Sequence, residues 1–303
     1  MFQNKRHELN YAILSTALIT VFSVLFVIQC IKLANSIRKS YHLLKTETLN
    51  FGRSGIPFDR ENCKLHFLNK EYKGLLVESV HLLHGAFKGD KTDFHRSVTE
   101  FEELNLHECK DSSASVVIAT TNRDSNRIWI LSRGVSNDTE LFTMSDTTQE
   151  KYGDHLIHRG ALKYFARLCD GVTEAVSKRL TSIGANNTHL VFTGHSMGGA
   201  LSVLFAHELQ QRLSLSRSDI ICVTYGTPRF ASPAFSHFSG NNISTIRVVN
   251  ESDPICFIPP AKLDNYSYAH VGEMICYFDY MGSPGACHCL SLYSKALEYI
   301  TNF

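Results

Sequence analysis

Residues 188–209, THLVFTGHSMGGALSVLFAHEL, change their hydrophobic rhythm halfway along. The first part is β-branched and aromatic, as in a short strand. After Gly199, Leu201, Leu204, Phe205 and Leu209 fall on one face of a helix. Between the two stands Ser196, with Gly194 and Gly198 two residues away on either side, in the pattern G-x-S-x-G. A strand that turns at once into a helix holds its corner residue in a strained, exposed conformation, and side chains two positions away would collide with strand or helix. The helix then points its free N–H groups and positive end at the place where a carbonyl oxygen gathers negative charge. The simpler alternative is a glycine-rich turn in which Ser196 only caps the helix.

The surrounding chain alternates in the same way. Residues 61–110 read as mostly helical, with Leu75, Leu76, Ser79, Val80 and Leu83 as a buried stripe. SASVVIATT and RIWILS read as two strands of a hairpin around the polar turn NRDSN. HLIHRGALKYFARLCDGVTEAVSKRL reads as one long amphipathic helix. DIICVTYGTPR, ISTIRVVN and HVGEMICYFDY are short and β-rich, and CLSLYSKALEYI closes the chain as a helix. Strands alternating with helices predict an α/β class with a mostly parallel central sheet. No linker interrupts residues 61–303, which are expected to form one catalytic domain.

A serine at its ordinary pKa is a poor nucleophile and needs a base held by an acid. On a strand-turn-helix corner of this kind the chain order is serine, acid, histidine. Asp253, just past the strand of RVVNESDPICFIPP, is the candidate acid; its plainer use is an Asx-type turn before Pro254. Of the downstream histidines, His237 precedes Asp253 and fails the order. His270 opens a strand and reads as structural, whereas His288, in the loop MGSPGACHC before the last helix, is placed to act as base.

From about Ser113 to Tyr293 the chain resembles the class 3 lipase family of α/β-hydrolases, the fungal-type triacylglycerol lipases and their relatives. The resemblance is carried in order by SRG, IHRGALKYF, VFTGHSMGGAL, VTYGTPRFASPAF, IRVVNESDPICFIPP, YAHVGEM and CHCLSLY. It implies an α/β-hydrolase fold with Ser196 as nucleophile, Asp253 as orienting acid and His288 as base. It further implies oxyanion donors at the backbone N–H of Val135 and of Met197. Relatives carry Ser or Thr where this chain has Val135, so a hydroxyl donor is missing, a loss that is worth roughly 10²–10³ in rate elsewhere; Ser136 substitutes if the loop is shifted by one residue. The family's lid corresponds to residues 136–152, with Leu141, Phe142 and Met144 as its apolar face. Cys287 and Cys289 flank His288 in a C-H-C tract, but zinc there would consume the base, and a disulfide or small-residue packing is the expected use. No metal and no cofactor are expected.

A second feature precedes the domain. Residues 9–31 carry no charge after Glu8 and are long enough to cross a bilayer at about 1.5 Å per residue. The run is longer than a signal-peptide core and lacks a small-residue cleavage site, so it reads as an uncleaved transmembrane anchor. The expected organisation is an anchor over 1–35, a juxtamembrane link over 36–60 and the hydrolase domain over 61–303. The formal net charge of +1 gives no argument for nucleic acid. Eight cysteines outside the anchor and sequons at Asn137, Asn186, Asn242, Asn250 and Asn265 lean toward a lumenal or extracellular domain. The expected function is hydrolysis of fatty-acyl esters of acylglycerols through an acyl-enzyme, with a lipid as partner. Phospholipase or other lipid-esterase activity on the same triad, or a catalytically silent membrane-tethered interaction protein, are the alternatives.

Overall fold

The computed structural model describes residues 70–87, 91–109, 112–121, 126–134, 146–184 and 188–301. The proposed anchor, the link, Val135 and positions 136–145 of the expected lid lie outside the described residues. None of the described helices is long and apolar enough to cross a membrane.

The described chain runs through α1 (Lys70–Phe87), α2 (Lys91–Ser97), β1 (Val98–Cys109), β2 (Ser112–Thr121), β3 (Arg127–Ser132), β4 (Gln149–Tyr152) and β5 (His155–His158). It continues through α3 (Arg159–Ile183), β6 (His189–His195), α4 (Met197–Arg212), β7 (Ile220–Tyr225), α5 (Pro233–Asn242) and β8 (Ser244–Asn250). Two two-residue strands, β9 (Lys262–Leu263) and β10 (Tyr266–Ser267), precede β11 (Glu273–Tyr277), α6 (Pro284–Cys287) and α7 (Leu290–Thr301).

Among the described residues, seven strands form the main sheet in the order β1-β2-β3-β6-β7-β8-β11. The β1-β2 and β2-β3 pairs are antiparallel, and every pair from β3 to β11 is parallel. The parallel strands are near-continuous apolar runs because helices cover both faces. On one face Ile128, Ile130, Leu190, Phe192, Ile220 and Cys222 pack against α3 and α4. On the other Trp129, Leu131, Val191, Val223, Tyr225 and Val248 pack against α1 and α7. The expected α1 stripe is buried as read, and Ser79 is part of it because its hydroxyl lies 2.6 Å from Tyr225 Oη and donates to Leu76 O at 3.0 Å.

Three readings of the sequence are corrected. Residues 98–109 form a strand, not the end of a helical region. The glutamates of VTEFEELNLHEC favour helix locally, but backbone pairing with β2, from Val98↔Thr121 to Cys109↔Ser112, overrides that preference. Second, residues 155–158 belong to strand β5, paired with β4, and the long helix begins only at Arg159, where His158 Nδ1 accepts the N–H groups of Gly160 and Ala161. Third, Pro233–Asn242 is a helix that was not foreseen between two strands, its entry capped by the Ser232 hydroxyl.

Because β3, β6, β7, β8 and β11 run the same way, their C-terminal ends lie along one edge of the sheet. That is where open α/β sheets place their chemistry. The segments leaving β3, β6, β8 and β11 carry Gly134, Ser196, Asp253 and His288, respectively.

Candidate active site

Ser196 occupies the corner between β6 and α4 with φ 59° and ψ −130°. A non-glycine residue with positive φ is strained, and the strain persists only where the surroundings over-determine the backbone. Here they do. A Cβ on Gly194 would sit 2.2 Å from the carbonyl carbon and oxygen of Gly198, and one on Gly198 would sit 2.2 Å from Ser132 O. Strand β6 and helix α4 therefore touch backbone to backbone at the corner, and α4 in turn presses on the end of β3. Ser196 N donates to Tyr225 O at 2.9 Å, which ties the corner to β7. The capping alternative fails: Ser196 stands at the N-cap position, but its side chain makes no capping hydrogen bond. Among the described residues the Ser196 hydroxyl has no hydrogen-bond partner, and the side chain is half-buried.

Asp253 is fully buried three residues beyond β8. Its two oxygens have separate duties. Oδ1 accepts the N–H of Ile255 at 2.9 Å, which is the Asx-type turn expected of an aspartate before proline. Oδ2 faces His288 Nδ1 at 2.7 Å. A carboxylate oxygen can only accept, so Nδ1 carries the proton and neutral His288 keeps its lone pair on Nε2. That is the tautomer a general base needs. The structure thus brings Asp253 and His288 together; His270 stands apart from them, where burial and the charges of Arg247 and Arg229 hold its pKa well below the usual imidazole value.

Three residues for which the sequence indicated no part in the site complete the constellation. Tyr293, in α7, donates its hydroxyl to Asp253 Oδ2 at 2.6 Å and is fully buried. His195, the residue before the serine, holds the loop of the histidine: its Nε2 donates to His288 O at 2.8 Å, and the two rings lie 4.5 Å apart at 32°. Asn250 closes β8 and is also fully buried. Its amide donates to Asp279 O at 2.8 Å and Cys287 O at 3.3 Å, and its Oδ1 accepts the N–H of Asp279 at 2.9 Å. Only contacts made by folding reveal these roles, although the position of His195 inside G-x-S-x-G was a usable signal.

Of the two expected oxyanion donors, Met197 is the first residue of α4 and is buried, so its N–H belongs to the helix terminus beside Ser196. Gly134, at the other side, is packed so closely that a Cβ there would lie 2.8 Å from His195 O and 3.1 Å from Ser196 Cβ. The chain therefore passes directly against the serine just before Val135, which itself lies outside the described residues.

The described end of the expected lid behaves differently from a lid. Asp146 pairs with Arg159, Gln149 is buried with its amide donating to Ser267 O at 3.0 Å, and Tyr152 donates to Glu208 at 2.9 Å. These contacts fasten 146–152 to the body of the domain. Of the two uses expected for the C-H-C cysteines, Cys287 takes the second: it is a free thiol packed as a small buried side chain, and Cys169, Cys222 and Cys256 are buried free thiols as well. The Asn250 sequon is inaccessible, since the asparagine is wholly buried and hydrogen-bonded, whereas Asn265 is exposed.

Residues 129–263 match the sequence model of the family described as Lipase (class 3). Over that stretch, a little under half of its length, the chain is similar to the class 3 lipase family. Residues aligned with Rhizomucor miehei lipase are 28% identical over 165 positions, 54% of this chain and 42% of that protein. A rice (Oryza sativa subsp. indica) protein, phospholipase A1 EG1, is 30% identical over 129 positions, 38% of this chain and 29% of its own length. The chain thus spans less than half the length of either relative. The solved native complex of Rhizomucor miehei lipase with its propeptide superposes with a TM-score of 0.58 at 21% identity, covering 70% of each chain. That likeness, together with the parallel sheet and its flanking helices, makes the fold that of an α/β-hydrolase. The family match ends before His288, so the histidine end of the domain rests on its own geometry.

Proposed function

We propose that the protein hydrolyses fatty-acyl esters of acylglycerols through an acyl-enzyme on Ser196. The observation that carries the reading is the 2.7 Å approach of His288 Nδ1 to the buried Asp253 carboxylate, at the same sheet edge as the strained, unengaged Ser196. In this reading His288 Nε2 takes the serine proton as Oγ attacks the ester carbonyl. Asp253 keeps the imidazole in the right tautomer and stabilises its charged form. The N–H groups of Met197 and Val135 receive the oxyanion, and the protonated His288 then gives its proton to the leaving alcohol. Water, activated by His288 in the same way, releases the fatty acid and frees Ser196. No metal or cofactor enters the scheme.

The acylglycerol preference draws on the fungal lipase relative; the plant relative is named a phospholipase A1, and the same triad serves that reaction equally. The 9–31 run is proposed as a membrane anchor that holds the domain near its lipid. A lumenal or extracellular placement of the domain is proposed with it, and its exposed glycan acceptor among the described sequons is Asn265. A glycosidase-sensitive mass shift that disappears in Asn265→Gln supports that placement.

The decisive assay uses the full chain against a dissolved short-chain ester, a triacylglycerol emulsion and phosphatidylcholine vesicles. Ser196→Ala and His288→Ala are expected to abolish hydrolysis of every substrate the wild type cleaves, and the preferred lipid chooses between lipase and phospholipase. A folded wild type whose serine ignores a fluorophosphonate probe and cleaves none of the three overturns the reading in favour of a silent scaffold.

A further inference from the structure

Six large hydrophobic side chains are exposed among the described residues, and four of them, Met274, Phe278, Tyr280 and Met281, fall within eight positions of the chain. Tyr280 and Met281 are the most exposed of all, at 61% and 55%. Along β11, Ile275 and Tyr277 point into the core, so Met274 and Phe278 share the opposite face. Residues 278–281 then span no more than about 10 Å of extended chain, which keeps Phe278, Tyr280 and Met281 in one patch.

The patch is built into the rim of the catalytic centre. Asn250 grips Asp279 through both N–H and C=O, the Ser252 hydroxyl donates to the same carbonyl, and Glu251 N donates to Tyr277 O at 2.8 Å. Asn250 also holds Cys287 O, and Met281 N reaches Cys287 Sγ at 3.5 Å. The apolar segment is thereby fixed between the strand that leads to Asp253 and the residue that precedes His288.

Its charge is as telling as its hydrophobicity. From Met274 to Ser294 the sequence holds one acidic side chain, Asp279, and no lysine or arginine. Surfaces that seek anionic bilayers carry clusters of basic residues, which are absent from this segment. An exposed group of two aromatic residues and two methionines, with a tyrosine hydroxyl for the polar boundary, suits an uncharged lipid surface.

We infer that residues 274–281 form a docking surface for a neutral-lipid interface, which seats the rim of the site on acylglycerol. This rests on the proposed lipid hydrolysis and deepens it by naming the face presented to substrate. The test embeds the full chain in phosphatidylcholine nanodiscs, so that residues 9–31 are already occupied, and compares the wild type with a Phe278→Ser, Tyr280→Ser, Met281→Ser variant. Expected is at least a tenfold loss of rate on a triolein emulsion, recovered at higher droplet area, with turnover of a dissolved short-chain ester unchanged. In a Ser196→Ala background the unmodified patch should float with triolein droplets at low and high salt, and the triple variant should not. Flotation without hydrolysis by the wild type would retain the docking surface and sink the lipase reading. Hydrolysis of triolein with flotation indifferent to the patch would sink the docking surface and leave the lipase. Equal losses on emulsion and dissolved ester would reduce the patch to a structural role. Flotation that appears only after deletion of residues 135–145 would show that the chain's own segment covers the patch, and would also overturn the inference.

Discussion

The Tyr293 hydroxyl donates to Asp253 Oδ2 over 2.6 Å, on the very oxygen that His288 Nδ1 approaches at 2.7 Å. Tyr293 Oη also receives the N–H of Asn250 at 3.3 Å, so one phenol joins the end of β8, the carboxylate and α7. Tyr293→Phe keeps the ring and removes the hydroxyl. A hydrogen bond to a charged group contributes about 1.5–3 kcal/mol. The variant should fold, unfold at lower denaturant by an amount in that range, and lose roughly tenfold in kcat with KM unchanged, since Asp253 then orients His288 less firmly. Steady-state kinetics beside a urea titration check both halves.

Gly194 and Gly198 are expected to be intolerant of even one methyl group. A Cβ at either position meets backbone at 2.2 Å, which no rotamer change relieves. Gly194→Ala and Gly198→Ala should each destabilise by more than about 3 kcal/mol or fail to fold. Gly240, whose Cβ would meet nothing within 4 Å, is the control: Gly240→Ala should leave the unfolding midpoint nearly unchanged or raise it.

Acid should weaken the domain through His207. Burial, with His155 contributing, holds its pKa at about 4. Its Nε2 lies 2.8 Å from Ser239 Oγ, and the rings of Phe235 and Phe238 pack against it. The unfolded chain takes up this proton below about pH 6.5, whereas the folded state refuses it until pH 4. Stability is therefore intact above pH 6.5 and falls progressively as pH drops toward 4, by about 3 kcal/mol in total. His207→Asn has nothing to titrate, so between pH 7.5 and pH 5 it should lose about 2 kcal/mol less than the wild type. His270, depressed in the same direction, leaves a remaining slope. Chemical denaturation at several pH values gives the comparison.

Thiol chemistry should sort by burial. Burial pushes the Cys222 and Cys256 thiols up, with the nearby Asp253 adding to the rise at Cys256, and burial with Glu208 raises Cys169 to about 11. Cys289 is exposed beside His288. A maleimide should label Cys289 in the native protein, with Cys222, Cys256 and Cys287 reacting only after denaturation. Peptide mass spectrometry before and after urea distinguishes the sites.

The parts of the fold readable in the sequence were those where local pattern and tertiary demand agree. The corner at Ser196 was legible because glycine at 194 and 198 is a direct statement about backbone contact, and the apolar β3 and β6 because strands buried on both faces have little else to be made of. Strand β1 was not, since its pairing partner, rather than its glutamate-rich composition, decides its conformation. Asp253 offered two uses, and each oxygen has its own contact: Oδ1 accepts Ile255 N in the turn and Oδ2 faces His288 Nδ1. The contacts of Tyr293 and Asn250 were not legible: their partners Asp253 and Asp279 are 40 and 29 residues away along the chain, and no periodicity encodes such a distance, while the Asn250 triplet pointed only to a sequon.

The Ser196 side chain holds nothing together, whereas the glycines around it hold the corner. Architecture and chemistry are therefore inherited through different letters of the same five-residue word. A descendant that loses the serine keeps a sound shape and is free to be retained for another purpose; one that loses a flanking glycine leaves nothing for selection to keep. Among diverging copies of this chain, intact glycines around a vanished serine would mark one that had given up the proposed chemistry, and the reverse pattern should scarcely survive.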